Sequence, residues 1–109
     1  MSEVQFVIRC LRGGREGRTF QIHGEVAVIG RDPRSDVPLH NSEDLLASAQ
    51  HVEIRKDGAR FVVKDLGSRN GTFIDGVRVT SEMSVVAGTE IECGPQGALL
   101  RLELPTAAS

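Results

Sequence analysis

Apolar residues near the start of the chain recur at every second position: Val4, Phe6, Ile8 and Cys10 share one parity, which places them on one face of an extended strand. Gly13, Gly14 and Gly17 interrupt that pattern, and Thr19 to Val28 resumes it as two short β-rich runs separated near His23-Gly24. Val52 and Ile54 alternate with polar neighbours. Lys56-Asp57-Gly58 then supplies a turn, and Phe61 with Val63 continues the alternation, so this stretch predicts a β-hairpin. A second tight hairpin follows in Thr72-Phe73-Ile74, Asp75-Gly76 and Val77-Arg78-Val79. Gly88 to Cys93 and Ala98 to Leu104 read as two closing strands joined by Gly94-Pro95-Gln96-Gly97.

Between these elements, Arg31 to Ala49 holds two prolines, many polar residues and a short apolar run around Val37 and Leu39. It reads as long loops flanking one brief strand. A helical turn over Ser42 to Ala47 would be capped by Ser42, with Glu43 and Asp44 complementing its N-terminus. Many short strands, regular turn signals and no long helix-period segment predict an all-β fold, a β-sandwich of about eleven short, mainly antiparallel strands. Residues 4–104 form the expected domain, with 1–3 and 105–109 as flexible ends.

At 109 residues the chain suits one domain. Thirteen basic against fifteen acidic residues give a formal charge of −2, which argues against a general nucleic-acid binder and requires any anion site to be local. Cys10 and Cys93 form no C-x-x-C pair and read as core residues. No stretch approaches the length of a membrane span, and Met1 to Ile8 has neither a basic nor a long apolar region, so no membrane partner and a cytoplasmic setting are the default expectations. His23, His40 and His51 lie in different elements. Neither a metal cluster, a nucleophilic triad nor a phosphate-binding Walker loop is visible, so no metal, cofactor or catalytic residue is expected.

The informative residues lie in loops: Gly30-Arg31, Ser35-Asp36, Ser48-Ala49-Gln50-His51, Ser68-Arg69-Asn70-Gly71-Thr72 and Asp75-Gly76. A phosphate dianion is well held by a charged planar donor with hydroxyl and amide donors converging from separate loops. Arg31 offers the guanidinium, Ser48 a hydroxyl, and Asn70 an amide that could hold an extended peptide backbone or simply serve a tight turn. Arg69 could add a second positive charge or remain a solvated turn residue, and Ser68 offers another hydroxyl in an ordinary Gly-Ser turn.

In this order and spacing, the G-R, S-x-x-H and N-G fragments resemble the forkhead-associated (FHA) domain, with the likeness spanning about residues 4 to 104. The resemblance implies an eleven-stranded β-sandwich whose loops at one end bind a phosphothreonine peptide. It implies phosphate contacts from Arg31 and Ser48, with Arg69 as a further candidate, and a ligand main-chain contact from Asn70. His51 would brace the serine's loop, with Gly30, Gly71 and Thr72 as structural support. The implied partner is a phosphothreonine-containing protein, either a kinase substrate or another part of the same parent chain; a phosphate-independent interaction or structural domain is the alternative. Ala49 and Gln50 stand where the family often carries basic or polar residues. Glu43 and Asp44 would repel a phosphate if they faced the pocket and be harmless if they faced away.

Overall fold

A computed structural model describes residues 3–105; positions 1, 2 and 106–109, assigned above to flexible ends, lie outside the described residues. Eleven strands are present among the described residues: β1 (Phe6–Arg12), β2 (Thr19–Ile22), β3 (Val26–Gly30), β4 (Val37–Pro38), β5 (Val52–Asp57), β6 (Arg60–Asp65), β7 (Thr72–Ile74), β8 (Val77–Arg78), β9 (Met83–Val86), β10 (Glu90–Cys93) and β11 (Ala98–Glu103). They form a six-stranded sheet in the order β2-β1-β11-β10-β7-β8 and a five-stranded sheet in the order β4-β3-β5-β6-β9. All pairings are antiparallel except that of β3 with β4. Pro38 lies in β4, an edge strand, where its missing N–H interrupts no ladder.

The period-two pattern has a direct structural cause. Phe6, Ile8 and Cys10 of β1 point inward and meet Val52, Ile54, Phe61 and Val63 of the opposite sheet in one apolar cluster. Phe6 and Phe61 close that interface edge to face, with ring centroids 5.3 Å apart, a contact worth about 0.5–1.5 kcal/mol beyond its area. Val4, placed with the same face by its spacing, precedes the strand and is only half-buried. Both cysteines are unpaired and buried, and burial pushes both thiols above their ordinary range, so they act as core residues rather than nucleophiles.

The strand directions gather five loops at one end of the sandwich, spanning residues 13–18, 31–36, 39–51, 66–71 and 94–97. In the third of these the expected helical turn over Ser42–Ala47 does not form; the segment runs as successive turns. Asp44 is the reason. Its carboxylate is buried and accepts the His40 N–H at 2.7 Å and the Gly14 N–H at 3.0 Å, fastening the segment to the β1–β2 loop instead of leaving the acid at a helix N-terminus. No helix of the described residues is long and apolar enough to cross a membrane.

Candidate functional site

Gly30 ends β3 under the main chain of the Ser48–His51 segment. A Cβ there would lie 2.1 Å from the Ala49 carbonyl oxygen, so the segment can cross β3 closely only because residue 30 is glycine. The crossing is fixed by the Arg31 N–H to Ser48 O at 3.0 Å and the Asp32 N–H to Ala49 O at 3.1 Å. From this junction the Arg31 side chain reaches back along the loop. Its Nε–H donates to Ala47 O at 2.8 Å and its Nη1 to Asn41 O at 3.1 Å, which leaves further guanidinium N–H donors uncommitted to these carbonyls.

Asn70 approaches the same segment from the other side, donating from Nδ2 to Leu46 O at 2.9 Å. Arg31 and Asn70 thus grip the consecutive carbonyls of Ala47 and Leu46. Ser48 comes next in the chain. Its hydroxyl oxygen accepts the Arg69 N–H at 3.0 Å, so its own O–H proton is left to donate elsewhere. All three residues are half-buried and assembled around one stretch of main chain, residues 46–48. In this turn Gly71 takes the left-handed conformation, at φ 87°, while Asn70 is not among the residues of positive φ. Asparagine's amide, not its turn propensity, is what this position uses.

Two buried residues hold these loops in place. His51 is fully buried and bridges them: its Nδ1 accepts the Ser48 N–H at 3.0 Å, and its Nε2 stands 2.9 Å from Gly71 O. A backbone donor on one nitrogen and a carbonyl on the other fix the neutral tautomer with the proton on Nε2. Burial, opposed by the Gly71 carbonyl and Asp65, holds the imidazole below its ordinary value. Asp65 organises the turn leading to Asn70. It accepts the hydroxyls of Ser68 at 2.5 Å and Thr72 at 2.7 Å and the N–H groups of Gly67 and Ser68 at 2.9 and 3.0 Å. Burial raises its carboxyl, but these hydrogen bonds outweigh that and hold it below the usual carboxylate range.

Ser68, weighed above as a further hydroxyl for the ligand, is spent inside the fold: besides donating to Asp65 it accepts the Gly71 N–H at 3.1 Å. Thr72 is buried by its bond to Asp65. The Asp65-x-Gly-Ser spacing is a local turn signature that could have pointed to this acid in the sequence.

The local charge balance favours an anion. Asp44 is turned inward, and Glu43 Oε2 stands 3.4 Å from His40 Nε2. Asp32, next to Arg31, is paired with Arg34 at 3.1 Å. Among the described residues no carboxylate pairs with Arg31, Arg69, Arg15 or Arg78. Arg15 and Arg78 were not expected at this end. Arg15 is brought in by its Nε–H bond to Pro38 O at 3.1 Å, and Arg78 by packing against Gly71.

A model of the FHA domain family matches residues 27–94, well over half of the chain. The chain belongs to the FHA domain family. Among curated relatives, this FHA domain is 37% identical over 84 residues to the oxoglutarate dehydrogenase inhibitor of Corynebacterium jeikeium, a match covering 76% of this chain and 55% of that protein. It is 35% identical over 83 residues to the glycogen accumulation regulator GarA of Mycolicibacterium smegmatis, covering 76% of this chain and 50% of the relative. The chain thus spans about half the length of these relatives. Solved FHA domains superpose closely. One, from a study of phosphothreonine-dependent FHA domain interactions, shares 28% identity at a TM-score of 0.75, covering 92% of this chain and 96% of its own. Another, the FhaA FHA domain complexed with the intracellular domain of Rv3910, shares 27% identity at a TM-score of 0.74, covering 91% of this chain and all of its own. The β-sandwich expected from the sequence is the fold this chain shares with these solved FHA domains.

The site should be sensitive to acid through its scaffold. In the unfolded chain His51 takes up a proton near its ordinary value of about 6.5, while the folded imidazole resists until a lower pH. Stability is therefore fully present above about pH 6.5 and falls as pH drops toward the depressed folded value, by up to about 1.4 kcal/mol per pH unit within that window. Thermal melting at pH 7.5 and 5.5 checks this, with a lower midpoint expected at 5.5. Asp65 contributes only in the lower window, below the usual carboxylate range, and so does not mask the effect.

Proposed function

We propose that this FHA domain is a binding module, not an enzyme, that recognises phosphothreonine in a partner protein. Residues 4–104 form the working unit. The observation that carries the reading is the convergence of Arg31, Ser48 and Asn70 on residues 46–48, each with donor capacity left after its internal bonds. Arg31 supplies charge-assisted N–H bonds to the phosphate and Ser48 an O–H bond, with Arg69 adding positive charge from the adjacent turn. Asn70 supports the ligand main chain beside the phosphothreonine. Gly30, His51, Gly71 and Thr72 hold the loops so that little ordering remains to be done on binding.

The ligand is a peptide segment of a kinase substrate, or of the same parent chain after phosphorylation. A solved relative from a study of phosphothreonine-dependent FHA domain interactions supports the reading, as do curated relatives named as an inhibitor and a regulator. A cytoplasmic setting accords with two cysteines left unpaired in the core.

Calorimetric titration with a degenerate peptide library, prepared with phosphothreonine, phosphoserine or unmodified threonine at the fixed position, tests the function. Phosphothreonine peptides are expected to bind and unmodified ones not to. Phosphoserine should lose on the order of 1 kcal/mol for its missing γ-methyl group. Equal binding of phosphorylated and plain peptides would instead describe a phosphate-independent interaction domain.

A further inference from the structure

Arg78 closes the β7–β8 hairpin, directly across the ladder from Phe73, and is exposed. The hairpin turns through Asp75 and Gly76, at φ 52° and 78°, the left-handed pair of a tight two-residue turn, which sets Arg78 back toward the start of β7. A Cβ on Gly71 would lie 2.9 Å from Arg78 Nε, 3.1 Å from Arg78 Cζ and 3.1 Å from the Phe73 ring. The guanidinium therefore lies against the Gly71 main chain beside that ring, in space that any other residue at 71 would fill.

Its platform is fixed. The Gly71 N–H is held by Ser68 Oγ at 3.1 Å, and its carbonyl accepts the Gly94 N–H at 2.9 Å and faces His51 Nε2 at 2.9 Å. Among the described residues no carboxylate pairs with Arg78. Glu92, the β10 neighbour of Phe73, is committed to Arg12 at 2.6 Å. A guanidinium without a counter-ion, lying against Gly71, the residue after Asn70, is suited to an anion brought by whatever Asn70 holds.

We propose that Arg78 is a specificity-determining residue that binds an anionic side chain of the ligand, either a carboxylate or a second phosphate, within about three residues of the phosphothreonine. An extended ligand advances about 3.3 Å per residue, and Gly71 adjoins Asn70, so a side chain close to the anchored position falls within reach. The inference rests on the phosphothreonine reading of Arg31, Ser48 and Asn70 and names the kind of ligand that this same site prefers.

Fluorescence anisotropy tests it, with phosphothreonine peptides carrying alanine, glutamate, lysine or phosphoserine at each nearby position, against the native domain, Arg78→Gln and Arg78→Glu. At one position glutamate or phosphoserine should bind about fivefold more tightly than alanine at low salt. The comparison of those two arms identifies which anion is read. Arg78→Gln should abolish the gain, so that glutamate- and alanine-flanked peptides bind equally, and Arg78→Glu should transfer the preference to lysine. Absence of any gain, or a gain that survives in Arg78→Gln, overturns the proposal while binding of the alanine-flanked peptide leaves the phosphothreonine reading standing. Failure of every phosphothreonine peptide overturns both.

Discussion

Replacing Arg31 by alanine is expected to weaken phosphothreonine-peptide binding about 100-fold or more. The lost charge-assisted contact alone is worth about 1.5–3 kcal/mol, roughly ten- to 150-fold. The same side chain also ties Ala47 O and Asn41 O to β3, so its removal loosens the loop that presents Ser48 and adds an ordering cost to binding. The exposed Asn41 carbonyl can turn to water, but Ala47 is buried, so the stability loss is about 1–3 kcal/mol. Arg31→Lys should fall between, because an ammonium keeps the charge but lacks the planar fork that serves the loop and the phosphate together. Calorimetry beside melting curves separates the effects. A folded Arg31→Ala domain that binds as tightly as the native one would remove this residue from the site.

His51→Ala should cost about 3–5 kcal/mol of stability, a large part of what a domain of this size possesses. The ring is fully buried, and its removal leaves the Ser48 N–H and the Gly71 carbonyl without their partner while opening a cavity between the loops. A fall in melting midpoint on the order of 20 °C follows. Affinity should drop as well, through the loosened loops rather than a lost ligand contact. His51→Gln, which keeps an acceptor and a donor on a shorter side chain, should recover part of the stability. An unchanged midpoint in His51→Ala would contradict the bracing role.

The layers of the sandwich were legible because each core strand repeats its apolar residues at period two, as in Phe6, Ile8 and Cys10. The edge strand β9 was not. Its inward side rests on Val85 and the partly buried Met83, too short a run to stand out among polar neighbours. The proximity of Arg31, Ser48 and Asn70 was legible from motif order. Asp44 and Arg78 were not, because their places depend on long-range contacts, whereas Asp65 works within its own turn, bonding Gly67, Ser68 and Thr72. Asp44 looked like a helix-start acid until the β1–β2 loop brought the Gly14 N–H to it, and Arg78 reaches the site only through the hairpin register opposite Phe73. Ser68, read as an ordinary turn serine, has that role: it is held by Asp65 and Gly71.

Backbone amide chemical shifts followed by NMR during titration with one peptide, in phosphothreonine and threonine forms, test the central claim most directly. The phosphorylated form should shift the amides of Arg31, Ser48 to Gln50 and Arg69 to Gly71 most strongly, and the threonine form should shift none of them at the same concentration. Equal shifts with both forms, or shifts centred on the β2-β1-β11 face away from these loops, would contradict the account.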